Sequence, residues 1–200
     1  MKVIFLDHDG VICLFDEWGG RFKKEKKFRE KTGVERKLSS PHYGLPVECR
    51  FDNFNPKAIE VLNEILKETD AEIVVSSDWK RWANVEEMGE YYLSQGISKK
   101  PIAFTPNLSE CVNFDSESFI WSRQWDSEQT RTIEIKEYLH THPEITHWVA
   151  VDDLDMGKTG LYYGMEFEHE WGLDNFVLTP RSLEGIKQSG IKEKIIDFLN

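Results

Sequence analysis

Cysteine is scarce in this sequence: Cys13, Cys49 and Cys111 are odd in number, far apart and without a CxxC, which argues against a disulfide framework. Long apolar runs are missing as well. None approaches the roughly 18 residues a membrane helix needs, and in MKVIFLDHDG an aspartate arrives at position 7, too early for a signal-peptide core. These absences predict a cytoplasmic protein with no membrane partner. Positive charge is in deficit, 25 Lys and Arg against 36 Asp and Glu for a net −11. That balance disfavours a long nucleic-acid tract as partner. It leaves phosphorylated small molecules, nucleotides or nucleic-acid ends, provided that a metal ion screens the acids. Internal repeats and low-complexity tracts are also lacking. What remains is a globular chain of 200 residues, read as a single domain over 1–200. At that size it buries roughly 70% of its unfolded surface without a disulfide or metal staple.

The hydrophobic pattern predicts alternating strands and helices. Val3 to Leu6 is an apolar run stopped by Asp7, His8, Asp9 and Gly10, which fits a buried strand emerging into a polar loop. Asn55 and Pro56 suit the cap and first residue of a helix whose Ile59, Leu62, Ile65 and Leu66 share a face. Ala71 to Val75 repeats the strand pattern and ends in Ser76, Ser77 and Asp78. A helix over about 80–95 closes at Gly96, and Pro101 to Thr105 is a short strand before a long loop from about 106 to 128. Ser127 or Thr130 caps the next helix, and Pro143 stops it. Thr146 to Val151 is the third core strand, ending in Asp152, Asp153 and Asp155. Asn175 to Leu178 and a helix near 190–199 complete the series. This is the pattern of a doubly wound, Rossmann-like parallel α/β sheet. Residues 14–54, with the basic, amphipathic RFKKEKKFREKTG, break the rhythm and read as a small lid inserted after the first strand.

Open α/β sheets bind ligands beyond the carboxyl ends of their strands, and here three core strands end in oxygen-bearing side chains. Asp7, Asp9, Asp152 and Asp153 would crowd like charges, a cost tolerated when a divalent cation binds among them. Oxygen-only ligands point to Mg2+. Ser76 offers a hydroxyl, and Arg131 or Lys136 a cation, both suited to a phosphoryl group.

These residues resemble the haloacid dehalogenase superfamily of aspartate-nucleophile phosphatases. FLDHDGV at 5–11 matches the family's strand followed by DxDG, IVVSSDW resembles its second motif, and WVAVDD at 148–153 its acidic fourth. In detail, VVSSDWKR, the helix with RTIEIKEYL and VDD look similar to the branch found within RNA-repair proteins. The resemblance implies Asp7 as nucleophile forming an aspartyl-phosphate, Asp9 as acid and base, and Asp152 and Asp153 as metal ligands. Asp7's second oxygen and the Asp9 backbone carbonyl would complete the protein ligands. Ser76, Ser77, Gly10 and a basic residue, either Arg131 or Lys136, would hold the phosphoryl group. His8 stands where the family commonly has an apolar residue. It reads either as a half-buried ring bonded to backbone or as a further proton carrier.

Other signals are weaker. GKT at 157–159 lacks the glycine a phosphate loop needs five positions earlier, where Asp152 stands. His140, His142 and His147 straddle a helix end and a proline, so no zinc is expected. The function implied is a magnesium-dependent phosphomonoesterase acting on a nucleotide or nucleic-acid terminal phosphate. A small metabolite phosphate, or a non-catalytic phosphate- or partner-binding module, remains open. Trp18, Trp79, Trp82, Trp121 and Trp125 are candidates for base stacking or for core packing.

The stretch Arg21 to Lys31 is either a solvated helix or a patch that steers polyanions. If it steers, replacing Lys23, Lys24, Lys26 and Lys27 by Ser lowers kcat/KM on a phosphorylated oligonucleotide far more than on an aryl phosphate. The loss shrinks as salt rises. Equal losses on both substrates would leave only the solvated helix.

Overall fold

The computed structural model describes residues 1–35, 41–108, 127–162 and 165–200. Its main sheet comprises β1 (Lys2–Leu6), β2 (Glu72–Val75), β3 (Ala103–Phe104), β4 (His147–Asp152) and β7 (Phe176–Leu178). All are parallel, in the order β3-β2-β1-β4-β7. Among the described residues five α-helices accompany it: α1 (Gly20–Thr32), α2 (Pro56–Thr69), α3 (Val85–Gln95), α4 (Ser127–Thr141) and α5 (Ile191–Leu199). Side chains of successive strand residues leave opposite faces. Accordingly Ile4 and Leu6 join one apolar cluster with Leu62 and Ile65 of α2, Tyr92 of α3 and Ile195 of α5. Val3 and Phe5 join a second, with Ile135 and Tyr138 of α4. The sheet is therefore covered on both faces, which is why its strands are apolar throughout. Among the described residues no helix is long and apolar enough to cross a membrane.

β1 lies between β2 and β4, so successive connections leave it in opposite directions. The crevice of such a sheet opens at the carboxyl end of this central strand, where Asp7 begins the loop.

Three expectations need correcting. First, the helix after β2 begins at Val85, not near 80. Residues Asp78–Arg81 form a separate 3-10 turn, and Asn84 starts α3 with a reciprocal cap. Its side chain accepts from the Glu87 amide at 2.8 Å, while Glu87 accepts from the Asn84 amide at 3.1 Å. Second, β5 (Thr159–Tyr162) and β6 (Met165–Glu168) form an antiparallel pair that the pattern did not disclose. Third, α1 is a helix but not an amphipathic one in effect: none of its residues is buried, and Phe22 is 63% exposed.

The inserted segment is tied down at its end. Asp52 accepts from the amides of Gly19 at 3.1 Å and Arg21 at 2.5 Å, supplying the cap that Gly19 lacks. Lys24 reaches Asn53 at 3.0 Å and the Tyr91 hydroxyl at 3.4 Å. It is therefore engaged, and Lys26 lies 3.9 Å from Glu30, so of these four lysines Lys23 and Lys27 are left for a steering surface. Cys13 and Cys49 are buried free thiols. Cys111, Trp121, Trp125 and most of the long loop expected over 106–128 lie outside the described residues.

The reciprocal cap gives a stability prediction. Asn84→Ala should cost about 1 kcal/mol, read as a lower urea midpoint with an unchanged m-value. An unmoved midpoint would mean that the neighbouring turn, rather than the cap, fixes where α3 starts.

Candidate active site

The loop after β1 is wound around one carbonyl. His8 accepts from the amides of Val11, Ile12 and Cys13 at 3.2, 3.0 and 2.8 Å, with Gly10 left-handed at φ +69°. A Cβ on Gly10 would lie 2.2 Å from an Asp153 carboxylate oxygen. Glycine at that position is thus what lets the ends of β1 and β4 close on each other.

That approach creates the site. One carboxylate oxygen from each of Asp7, Asp152 and Asp153 falls within 4.8 Å of the others. Arg131 of α4 stands against them, 3.1 Å from Asp7 and 2.7 Å from Asp152. Burial, reinforced by Asp152, pushes the Asp7 carboxyl well above its usual range, against the pull of Arg131. Burial also raises Asp152, although Arg131 opposes it, and lifts Asp153 to about 6 with help from Asp152. The Arg131 guanidinium, despite its own burial, is held more basic than usual by Asp7 and Asp152. Two buried acids and a half-buried third that resist ionisation together are an oxygen-only donor set, which fits a hard divalent cation such as Mg2+.

Ser76, at the end of β2, is buried and its hydroxyl has no hydrogen-bond partner among the described residues. A buried hydroxyl left unpaired carries a free-energy cost unless a ligand completes it. Ser77 has a different position: its side chain accepts from the Trp79 amide at 3.4 Å and caps the 3-10 turn. Gly10's amide donates to the Cys13 carbonyl at 2.9 Å, so it is not free for a phosphoryl oxygen. Of the two candidate cations, Arg131 reaches the acids, while Lys136 donates to the Trp171 carbonyl at 2.7 Å.

A second buried cation was not anticipated. Lys80, on the turn after β2, donates to the Thr105 hydroxyl at 3.0 Å and the Pro106 carbonyl at 2.9 Å, and pairs with Glu134. Burial lowers its pKa and the pairing with Glu134 opposes that. Only the KR pair directly after SSDW hinted at it.

On the other side of the loop, aromatic rings surround Asp9 and His8. The Trp79 indole donates to Asp9 at 2.8 Å and stacks on Phe51 and Phe54, with centroids 4.7 and 5.4 Å away. Burial raises the Asp9 pKa and the indole hydrogen bond moderates the rise. His8 is fully buried, bonded through Nε2 to the Tyr92 hydroxyl at 2.6 Å. Burial lowers its pKa to about 3. Both earlier readings therefore need amending: the ring bonds a side chain rather than backbone, and it stays neutral near pH 7, as a proton carrier there would not.

The buried pair is testable. Glu134→Ala strands the Lys80 ammonium and should cost about 3–5 kcal/mol in urea unfolding, whereas Lys80→Met with Glu134→Leu should recover most of that. A single-variant loss below about 1 kcal/mol, typical of an exposed pair, would contradict the burial.

A family model described as the HAD domain in Swiss Army Knife RNA repair proteins matches residues 3–188. No curated protein and no solved structure gave a match. The matched span runs from β1 to the 3-10 turn before α5 and includes every acid of the site. The chain belongs to the haloacid dehalogenase (HAD) superfamily, in the branch of HAD domains described from Swiss Army Knife RNA repair proteins.

Proposed function

We propose that this HAD domain is a magnesium-dependent phosphomonoesterase whose substrate is a nucleotide or a phosphorylated nucleic-acid end. Family membership supports a phosphatase-type hydrolase. The finer reading rests on one observation: the Asp7, Asp152 and Asp153 oxygens converge beside Arg131. The unpartnered Ser76 hydroxyl supports it. The RNA-repair description of the family favours a nucleic-acid end.

Asp7, Asp152 and Asp153, with the Asp9 backbone carbonyl, would hold the magnesium ion. When bound, it supplies positive charge to the phosphoryl oxygens. The steps belong to the chain's own residues. An Asp7 oxygen attacks phosphorus in line, forming an aspartyl-phosphate as the ester P–O bond breaks. Asp9, whose raised pKa favours the protonated form, gives its proton to the leaving oxygen. It then takes a proton from the water that attacks the aspartyl-phosphate, releasing inorganic phosphate and restoring Asp7. Ser76 donates to a phosphoryl oxygen, and Arg131 sets a fixed positive charge beside the reacting centre. Ser77 shapes the turn that carries Trp79, and residues 14–54 act as a small cap over the crevice.

Asp7→Asn keeps the shape, removes the nucleophile and relieves one buried charge. Turnover of an aryl phosphate with magnesium should therefore vanish while the thermal midpoint holds or rises. Excess chelator should stop the wild type, magnesium should restore it, and Asp152→Ala should raise the magnesium concentration required. Normal turnover by Asp7→Asn, or full activity in chelator, overturns the proposal.

A further inference from the structure

The Asp9 carboxyl is held by neutral side-chain donors. Its Oδ2 accepts from the Trp79 indole at 2.8 Å, and the Cys13 thiol, a weaker donor, bonds to the same carboxyl. Arg131 reaches Asp7 and Asp152 instead. The orientation of Asp9 is therefore a matter of where the indole N–H points.

That direction is set by packing. Trp79 is buried, so it has no open face to offer a base. It stacks on Phe51 at 4.7 Å and on Phe54 at 5.4 Å, with the rings within 8° and 14° of parallel, and the His8 ring lies 4.7 Å away. The backbone beneath is fixed as well: the Trp79 amide donates to the Ser77 hydroxyl at 3.4 Å, and its carbonyl accepts from the Trp82 amide at 2.9 Å. The two phenylalanines belong to a segment that is itself anchored. The Tyr91 hydroxyl donates to the Asp52 carbonyl at 2.6 Å, and the Phe54 amide donates to the Gln95 side chain at 3.2 Å. An oxygen held by so fixed a donor restrains the Asp9 carboxyl from turning about its Cβ–Cγ bond.

The chemical consequence follows from charge. As Asp9 gives its proton to the leaving oxygen, negative charge develops on its carboxyl, and an N–H already aimed there stabilises that transition state without reorienting. A nucleotide or nucleic-acid end departs as a sugar alcohol, which needs the proton. A dinitrophenolate is stable enough to leave without it.

We propose that Trp79 is the positioning residue of the acid: packed on Phe51 and Phe54, its indole N–H fixes the Asp9 carboxyl for proton transfer to an alcohol leaving group. The inference rests on the phosphomonoesterase reading above and adds the group that orients Asp9.

The test uses the full chain with magnesium and two phosphate esters. One is an oligonucleotide phosphorylated at both termini, whose leaving groups are sugar alcohols; the other is dinitrophenyl phosphate. Trp79→Phe keeps a ring against Phe51 and Phe54 and removes the N–H. It should lower kcat/KM on the oligonucleotide about 10- to 100-fold, within the range that general acid catalysis supplies. On dinitrophenyl phosphate the loss in kcat/KM should stay below about 2-fold, because that ratio covers only the steps up to departure of the leaving group. Its kcat should still fall, since Asp9 must take a proton from water in the second step, and KM falls with it. If Trp79→Phe lowers the thermal midpoint, benzothienylalanine at position 79, the same fused ring with sulfur in place of N–H, gives the comparison with the packing kept. Losses as large on dinitrophenyl phosphate as on the oligonucleotide, or no loss on the oligonucleotide, would overturn the positioning role and leave the phosphatase reading standing. A wild type active on dinitrophenyl phosphate alone would remove both the positioning role and Asp9 as the acid. Phosphate release from neither ester would overturn the reading beneath them.

Discussion

Two buried carboxylates, Asp7 and Asp152, within hydrogen-bond range of a single guanidinium, with the half-buried Asp153 beside them, are the constraint around which this protein is arranged. Such a cluster opposes folding unless its charges are offset. The surrounding structure shows how the offset is made. A left-handed glycine lets two strand ends meet, and a helix on one face of the sheet delivers a permanent cation between them. The same electrostatic tension is what the divalent ion of the proposed function would relieve.

The two sides of the site use different chemistry. On the Arg131 side, the Lys80–Glu134 pair joins the turn after β2 to α4, so the element carrying Arg131 is fixed by charge to the element carrying Ser76. On the Asp9 side there is little charge and much aromatic surface. Phe51 and Phe54 from the end of the cap sandwich Trp79, whose indole meets Asp9. The segment that ends at Phe54 is thereby coupled to Asp9 through stacking.

The positions of Asp7, Asp9, Ser76, Asp152 and Asp153 were legible because a buried parallel strand is apolar until it leaves the core. The first polar side chain after VIFL, IVV or WVAV therefore marks the rim of the crevice. Arg131 and Lys136 were harder to separate, yet helix geometry distinguishes them: five residues turn a helix by about 140° beyond a full revolution, so both cannot face the same cluster. Lys80 escaped notice because its significance lies in Glu134, 54 residues later, and no local pattern encodes such a pairing. His8 was legible as unusual, but its partner, the Tyr92 hydroxyl, is 84 residues away. The β5–β6 pair was missed because TGLY and MEFE interleave apolar residues with glycine, threonine and glutamate and lack the continuous apolar run that marks the core strands.

The placement of β1 also governs when the site comes into existence during synthesis. β1 pairs with β2 on one side and with His147–Val151 of β4 on the other. About 70 residues must be made between the two partners, from Val75 to His147, roughly 4–14 s at ribosomal rates of about 5–20 residues per second. During that interval one edge of an apolar strand has no partner, a surface open to misplaced pairing. Asp7 meanwhile stands without Arg131, Asp152 or Asp153. On the proposed function, its ion-binding and reactive character would therefore arise late and all at once, when β4 docks, and a nascent chain halted before that point would carry Asp7 without the groups that surround it in the folded site.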